Sequence, residues 1–240
     1  MSLRRAARRW QCAALLSAVV MAPGAWAQSA APKPAASKAA ASKAATAPAA
    51  APKPAVDYGE RYAAVCAACH GSAGRSELPQ VPSLAGQHSF YVVTQLFLFR
   101  DGRRSDHPMA AAMTAMAKGM SDGDLRGYSE AIARLPATAL TAVPAAPSAP
   151  PRDAVRFEHG RQLATDHRCS SCHGADLAGG GQVPRLAGQR EDYLQIALKS
   201  FQGGTRLGYT PAMNEALSGL TPQDLDDLAY YMAGSLSDGK

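Results

Sequence analysis

Val65-Cys66-Ala67-Ala68-Cys69-His70-Gly71 (VCAACHG) and Arg168-Cys169-Ser170-Ser171-Cys172-His173-Gly174 (RCSSCHG) decide how the rest of this 240-residue chain is read. Two thiols three positions apart with an imidazole directly after them have three common uses: a redox dithiol, part of a zinc site, or the anchor of a covalent haem. A thioredoxin-like dithiol sits in a βαβ context. Neither half of this chain shows alternating β-branched runs, and both are rich in Ala, Leu, Gln and Arg. Structural zinc needs four ligands, whereas each copy offers two Cys and one His, with the second copy about a hundred residues away in a repeat of its own. The haem reading uses every position: the thiols form thioethers with the porphyrin vinyl groups and the histidine binds the iron from one face.

The sequence after each motif also repeats. VPSLAGQHSFYVVTQLFLFRDGRR from Val81 matches VPRLAGQREDYLQIALKSFQGGTR from Val183. Leu84/Leu186, Gly86/Gly188, Tyr91/Tyr193, Leu96/Leu198, Phe99/Phe201 and Gly102/Gly204 all keep one offset of 102. This is an internal duplication, and two CxxCH motifs in register within it predict two covalent haem c groups, held by Cys66, Cys69, Cys169 and Cys172.

The N-terminal part has a different character. Arg4, Arg5, Arg8 and Arg9 precede an apolar run, Cys12 to Met21, and Ala25-Trp26-Ala27 completes a signal-peptide pattern with cleavage expected after Ala27. An uncleaved membrane anchor is the alternative, although the run is short for a span. From residue 28 to 56 the composition falls to Ala, Pro, Ser and Lys, which cannot bury enough apolar surface to offset ordering entropy. We read it as a tether. A second Ala/Pro tract, 137–151, is expected to link two domains, 57–136 and 152–240.

The sequence pI near 9.2 invites a nucleic-acid reading until the charges are located. Eight of the 25 basic residues fall in the signal and tether, and all 19 acidic residues lie in 57–240, which carries a net charge of −2. The nucleic-acid reading therefore loses its support, while the basic tether can graze an anionic membrane surface.

An iron held by histidine takes a sixth ligand or stays open for chemistry. The first half offers Met109, Met113, Met116 and Met120, the second Met213 and Met232. Counting back from Ser121-Asp-Gly-Asp124-Leu125 and Thr221-Pro-Gln-Asp224-Leu225 pairs Met113 with Met213, each eight residues before the cap. Met109, Met116 and His107 stay open as rivals to Met113. Met120 and Met232 read as core filler, and His88, His159 and His167 as ordinary surface or core histidines. Pro108 and Pro211, just before the selected methionines, predict an extended loop there rather than a helix.

Each half otherwise predicts an all-α domain of about three helices: a segment near Gly59 to Val65 leading into the motif, Ser89 to Phe99, and Ser121 to Arg134, with the equivalents in the second half. The last helix of each half opens with S/T-x-x-D, a capping signal. Domains of this size have small cores, so a covalent macrocycle would supply missing hydrophobic mass.

The paired CxxCHG motifs, the VPxLAGQ segments followed by Tyr and an FxxG-x-R stretch, the methionines and the capped last helices resemble the dihaem cytochromes c of the c4 type over residues 57–240. The resemblance implies two tandem class I cytochrome c domains, with His70 and His173 as proximal and Met113 and Met213 as distal ligands. It also implies that the Pro82 and Pro184 carbonyls accept a hydrogen bond from the proximal histidines. The domains would pack about a pseudo-twofold axis. The function implied is a monomeric periplasmic electron carrier, not an enzyme, between a quinol-oxidising bc1-type complex and a terminal oxidase. Two alternatives remain: an electron-accepting subunit of one dehydrogenase, and a dihaem peroxidase. The tether and a first distal loop two residues longer than the second depart from the family pattern.

Overall fold

Asp57 starts the first helix, its Oδ1 accepting from the backbone N–H of Gly59 (2.8 Å) and Glu60 (3.1 Å). Asp153 does the same for the second half through Val155 and Arg156. The computed structural model describes residues 56–140, 152–207 and 211–235, which fall within one unit. The expected signal peptide 1–27, residues 28–55 of the tether and residues 141–151 of the linker lie outside the described residues. No helix among the described residues is long and apolar enough to cross a membrane.

The first half runs α1 (Tyr58–Arg61), a π turn (Tyr62–Cys66), α2 (Ala67–His70), α3 (Ser89–Arg100), α4 (Ala110–Lys118), α5 (Asp122–Ala133) and a 3-10 turn (Ala137–Leu140). The second runs α6 (Ala154–Asp166), α7 (Ser170–His173), α8 (Glu191–Gln202), α9 (Ala212–Ala216) and α10 (Pro222–Gly234). Among the described residues there is no strand, only one isolated bridge between Gly180 and Val183. The all-α expectation holds.

One expectation fails. The segments after Pro108 and Pro211 are helical: Met113 lies inside α4 and Met213 inside α9. A proline blocks a helix it interrupts, but its fixed φ suits the helix start. Pro211 is the N-cap of α9, and Pro108 precedes Met109, the N-cap of α4. The Ala110-Ala111-Ala112 run then favours continuation, because alanine loses no side-chain entropy on entering a helix. The expected linker also begins later than composition suggests, since Leu140 is buried and its carbonyl accepts from Arg75 (3.1 Å).

In each half the first and last helices cross at a glycine, but on opposite partners. A Cβ on Gly127 of α5 would come 2.1 Å from the Tyr58 ring, and a Cβ on Gly160 of α6 would come 2.1 Å from the Asp227 carbonyl oxygen. An edge-to-face aromatic pair sits at each crossing, Tyr58 with Tyr128 and Phe157 with Tyr231, both with centroids 5.1 Å apart. Below these, Tyr62, Val92, Leu96, Leu125, Tyr128 and Ile132 form the first core. Leu194, Leu198, Phe201, Leu225, Leu228 and Met232 anchor the second.

Both last helices carry the predicted cap in its reciprocal form. Ser121 and Thr221 accept from the N–H of Asp124 and Asp224, whose carboxylates accept in return from the cap backbone. The side-chain and backbone hydrogen bonds from Ser121 hold Asp124 below the usual carboxylate range, and those from Thr221 do the same for Asp224. A depressed folded-state value means stability that is fully present above the unfolded value and is lost as pH falls through the folded one. Thermal unfolding scanned downward from pH 5 is therefore expected to lose midpoint below about pH 4. In Asp224→Asn this dependence becomes shallower. An unchanged slope in the variant would contradict the assignment.

The two halves meet through their repeated loops, in matched pairs. Gln87 and Gln189, 102 apart in sequence, each reach into the opposite half: Gln87 Nε2 donates to the Arg185 carbonyl (2.7 Å) and Gln189 Nε2 to the Ser83 carbonyl (2.9 Å). Arg104 donates to the Tyr193 hydroxyl (2.9 Å) and Arg206 to the Tyr91 hydroxyl (3.2 Å). Each guanidinium lies 4.5 Å from the ring centre of its own half's phenylalanine, Phe99 or Phe201. Duplicated residues at one offset make reciprocal contacts, as a pseudo-twofold axis requires. Asp106 breaks the symmetry: it faces Arg104 at 3.6 Å and Arg206 at 3.8 Å, with all three side chains at most 5% exposed.

Candidate metal centres

The turn into each motif is built differently in the two halves, yet ends alike. In the first, the π turn carries the chain directly from α1 into Cys66, and the Tyr62 hydroxyl donates to the Gly71 carbonyl (2.8 Å). Single π turns concentrate at functional positions. In the second, α6 stops at Asp166, and Arg168 at φ 55° redirects the chain into Cys169. Both motifs then finish on a glycine with positive φ, Gly71 at 81° and Gly174 at 80°. A Cβ on Gly71 would also lie 1.9 Å from the Arg75 carbonyl oxygen. The G of CxxCHG is thus a backbone requirement.

His70 and His173 are both buried, at 8% and 6% exposure. The Nδ1 of His70 lies 2.8 Å from the Pro82 carbonyl oxygen, and that of His173 lies 3.0 Å from the Pro184 carbonyl oxygen. A carbonyl only accepts, so Nδ1 carries the proton in each ring and Nε2 keeps a lone pair. Burial lowers both pKa values, against a smaller rise from the proline carbonyls. The resulting neutral imidazole with a fixed tautomer is the form a metal ligand needs.

Cys66 and Cys169 lack the thiolate bias of a reactive thiol. Burial, with a smaller push from Cys69, raises Cys66 to about 11, and burial raises Cys169 as well. Reactive dithiols have the opposite shift, toward the thiolate. The four motif cysteines form no disulfide, and among the described residues no three His, Cys, Asp or Glu side chains converge on a common point.

The methionines separate by packing. Met113 is half-buried against the first core and against the neighbouring cluster of Phe99, Ala110 and Ala117. Met109 and Met116, one turn to either side on the same helical stretch, are 43% and 46% exposed. Met213 is half-buried against the second core. Cys66 packs on the core that Met113 touches, and Cys169 on the core that Met213 touches. His107 turns elsewhere: its Nδ1 accepts from the Met109 N–H (3.0 Å), and its ring packs 5.7 Å from that of Tyr193 in the other half. Met232 is core filler at 2% exposure. Each half thus offers the donors that a covalent haem c requires, two thiols, a neutral imidazole and a thioether, with the first thiol of the motif and the thioether on one apolar cluster.

Some residues around the sites had no sequence signal of their role. Gln87, Gln189, Tyr91, Tyr193, Arg104 and Arg206 stand out in sequence only as repeated identities, and Asp106 not at all. Burial pushes the Tyr193 hydroxyl up, but Arg104 and Arg206 outweigh it and hold its pKa below the usual phenol value.

The cytochrome c family model matches residues 56–131 and 157–235. Cytochrome c-552 of Acidithiobacillus ferridurans is 33% identical over 72% of this chain and 74% of its own. Cytochrome c4 of Pseudomonas aeruginosa is 31% identical over 73% of this chain and 86% of its own. The thiosulfate dehydrogenase electron acceptor of Stutzerimonas stutzeri is 30% identical over 73% and 74%. Among solved structures, reduced recombinant cytochrome c4 from Pseudomonas stutzeri superposes with a TM-score of 0.60 at 28% identity, over 74% of this chain and 96% of that one.

Proposed function

The chain belongs to the cytochrome c family, as a dihaem electron-transport member of the c4 type, and we propose that it carries single electrons in the periplasm from a quinol-oxidising complex to a terminal oxidase. His70 and His173 are the proximal ligands in this reading, Met113 and Met213 the distal ones, and Cys66, Cys69, Cys169 and Cys172 hold the macrocycles. The observation that carries it is the pairing of motif and thioether on one core in each half: Cys66 with Met113, and Cys169 with Met213. Two protein ligands per iron leave no position for substrate, so the expected chemistry is electron exchange. Each haem, when bound, supplies one iron cycling between ferric and ferrous states.

The protein's own residues do the rest. Pro82 and Pro184 orient the imidazoles and fix their tautomers, Gly71 and Gly174 turn the chain away after each motif, and the apolar cores exclude water. Methionine sulfur favours the ferrous state and raises the potential. Export fits the predicted signal, with cleavage near Ala27.

A second reading, the electron acceptor of one dehydrogenase, is favoured by the relatives named for that role with thiosulfate dehydrogenase. The peroxidase alternative draws no support from the relatives named above. Stopped-flow reduction separates the first two. Rapid reduction by quinol-oxidising membranes and rapid reoxidation by oxidase-containing membranes support the carrier; rapid reduction only by a thiosulfate dehydrogenase with thiosulfate overturns it.

The distal assignment is tested by Met213→Ala and Met113→Ala. Each variant is expected to lose about half of the weak far-red sulfur-to-iron band of the oxidised protein, because one of two thioethers is removed. Met109→Ala and Met116→Ala leave it intact. Retention of the full band in Met113→Ala would move the ligand elsewhere.

A further inference from the structure

We infer that Gln189 tunes the first haem and Gln87 the second, each acting from the opposite domain on the peptide group that holds the other domain's proximal histidine. This rests on His70 and His173 being the iron ligands.

The peptide between Pro82 and Ser83 is bonded at both ends. Its carbonyl accepts from His70 Nδ1 (2.8 Å), and its N–H donates to Gln189 Oε1 (2.8 Å). The peptide between Pro184 and Arg185 repeats the arrangement: its carbonyl accepts from His173 Nδ1 (3.0 Å), and its N–H donates to Gln87 Oε1 (3.2 Å). Both glutamines are buried, at 5% and 6% exposure. Each also donates Nε2 to the next carbonyl of the same loop segment, Arg185 O or Ser83 O. Only one orientation of each amide satisfies both backbone groups, so the acceptor oxygen is fixed toward the N–H.

A peptide that donates at its nitrogen carries more negative charge on its oxygen, and hydrogen bonds in such a chain strengthen one another. A stronger bond from the histidine N–H makes the imidazole more electron-rich, which favours the oxidised metal. Gln189 therefore lowers the potential of the first haem and Gln87 that of the second. The first chain has the shorter bonds throughout, so Gln189 has the larger effect. The crossed assignment follows from topology: each glutamine lies five residues past its own proline, yet its Oε1 accepts from the N–H of the other half's proline peptide; Gln189 Oε1 also accepts from the Arg190 N–H (2.9 Å).

The test is a redox titration of the full dihaem protein with each haem followed separately by its proton NMR methyl resonances. Gln189→Leu is expected to favour reduction of the first haem by about two- to threefold, from a 10–30% weakening of the histidine bond. That is roughly 18–28 mV at 59 mV per tenfold for one electron. The second haem stays unchanged. Gln87→Leu gives the converse with a smaller shift. Gln189→Glu keeps an acceptor oxygen for the Ser83 N–H and does not raise the first potential. Hydrogen exchange gives an independent readout: the Ser83 amide loses protection in Gln189→Leu and the Arg185 amide in Gln87→Leu. Equal shifts of both haems in either variant would mean general loosening of the interface and would overturn the inference. Loss of Ser83 protection with no shift in potential would overturn it as well. Ligation is checked apart from these by the hyperfine-shifted Nδ1 protons of His70 and His173 in the unaltered protein; their absence would remove the ligand assignment itself.

Discussion

Asp106→Ala is expected to destabilise the folded protein by about 3 kcal/mol, the lower end of the cost of breaking a buried ion pair from one side. The lower end applies because Asp106 meets Arg104 and Arg206 at 3.6 and 3.8 Å, distances of charge attraction without a close hydrogen bond. Removing the carboxylate leaves two guanidinium groups facing each other in a site where all three side chains are at most 5% exposed. Each also keeps hydrogen bonds to a tyrosine of the opposite domain, so neither can turn out to water without releasing the interface. Urea unfolding followed by far-UV circular dichroism and by haem absorbance should show a lower midpoint, with the two domains unfolding separately. A midpoint within measurement error of the unaltered protein would mean that another anion compensates the arginines.

Removing both thiols of the second motif, Cys169→Ala with Cys172→Ala, is expected to have the larger consequence. The second core gathers Leu177, Leu194, Leu198, Phe201, Leu217, Leu225, Leu228 and Met232, with Cys169 and Met213 packed against it. A domain of under 90 residues with its prosthetic group missing has little margin against chain entropy. Mass spectrometry should find one haem per chain, and the helical circular dichroism signal should fall to about half as α6 to α10 lose their order. A protein with one haem and its full helical signal would show that the second core folds without the macrocycle.

The parts of the fold that sequence made legible were those written in local chemistry. CxxCHG marked the haem c motifs, the duplication set the two-domain plan, and Ser121-x-x-Asp124 and Thr221-x-x-Asp224 marked helix starts that the structure places at those caps. The error over the methionine segments came from weighing Pro108 and Pro211 as breakers when each stands at a helix start. The π turn at Tyr62–Cys66 has no side-chain periodicity to announce it. The interface was half legible: Gln87 and Gln189 repeat visibly, but that each bonds the opposite half depends on contacts between residues about a hundred positions apart. Asp106 belongs to the loop that is longer in the first half, so the repeat gave no partner against which to notice it.

The measurement that bears most directly on the central claim is a pyridine haemochrome count joined to optical spectra of the mature protein in both oxidation states. The account predicts two haems per chain, both low-spin in each state, with the far-red sulfur-to-iron band in the oxidised form. One haem per chain, or a high-spin signal from an open iron in the oxidised protein, would contradict it.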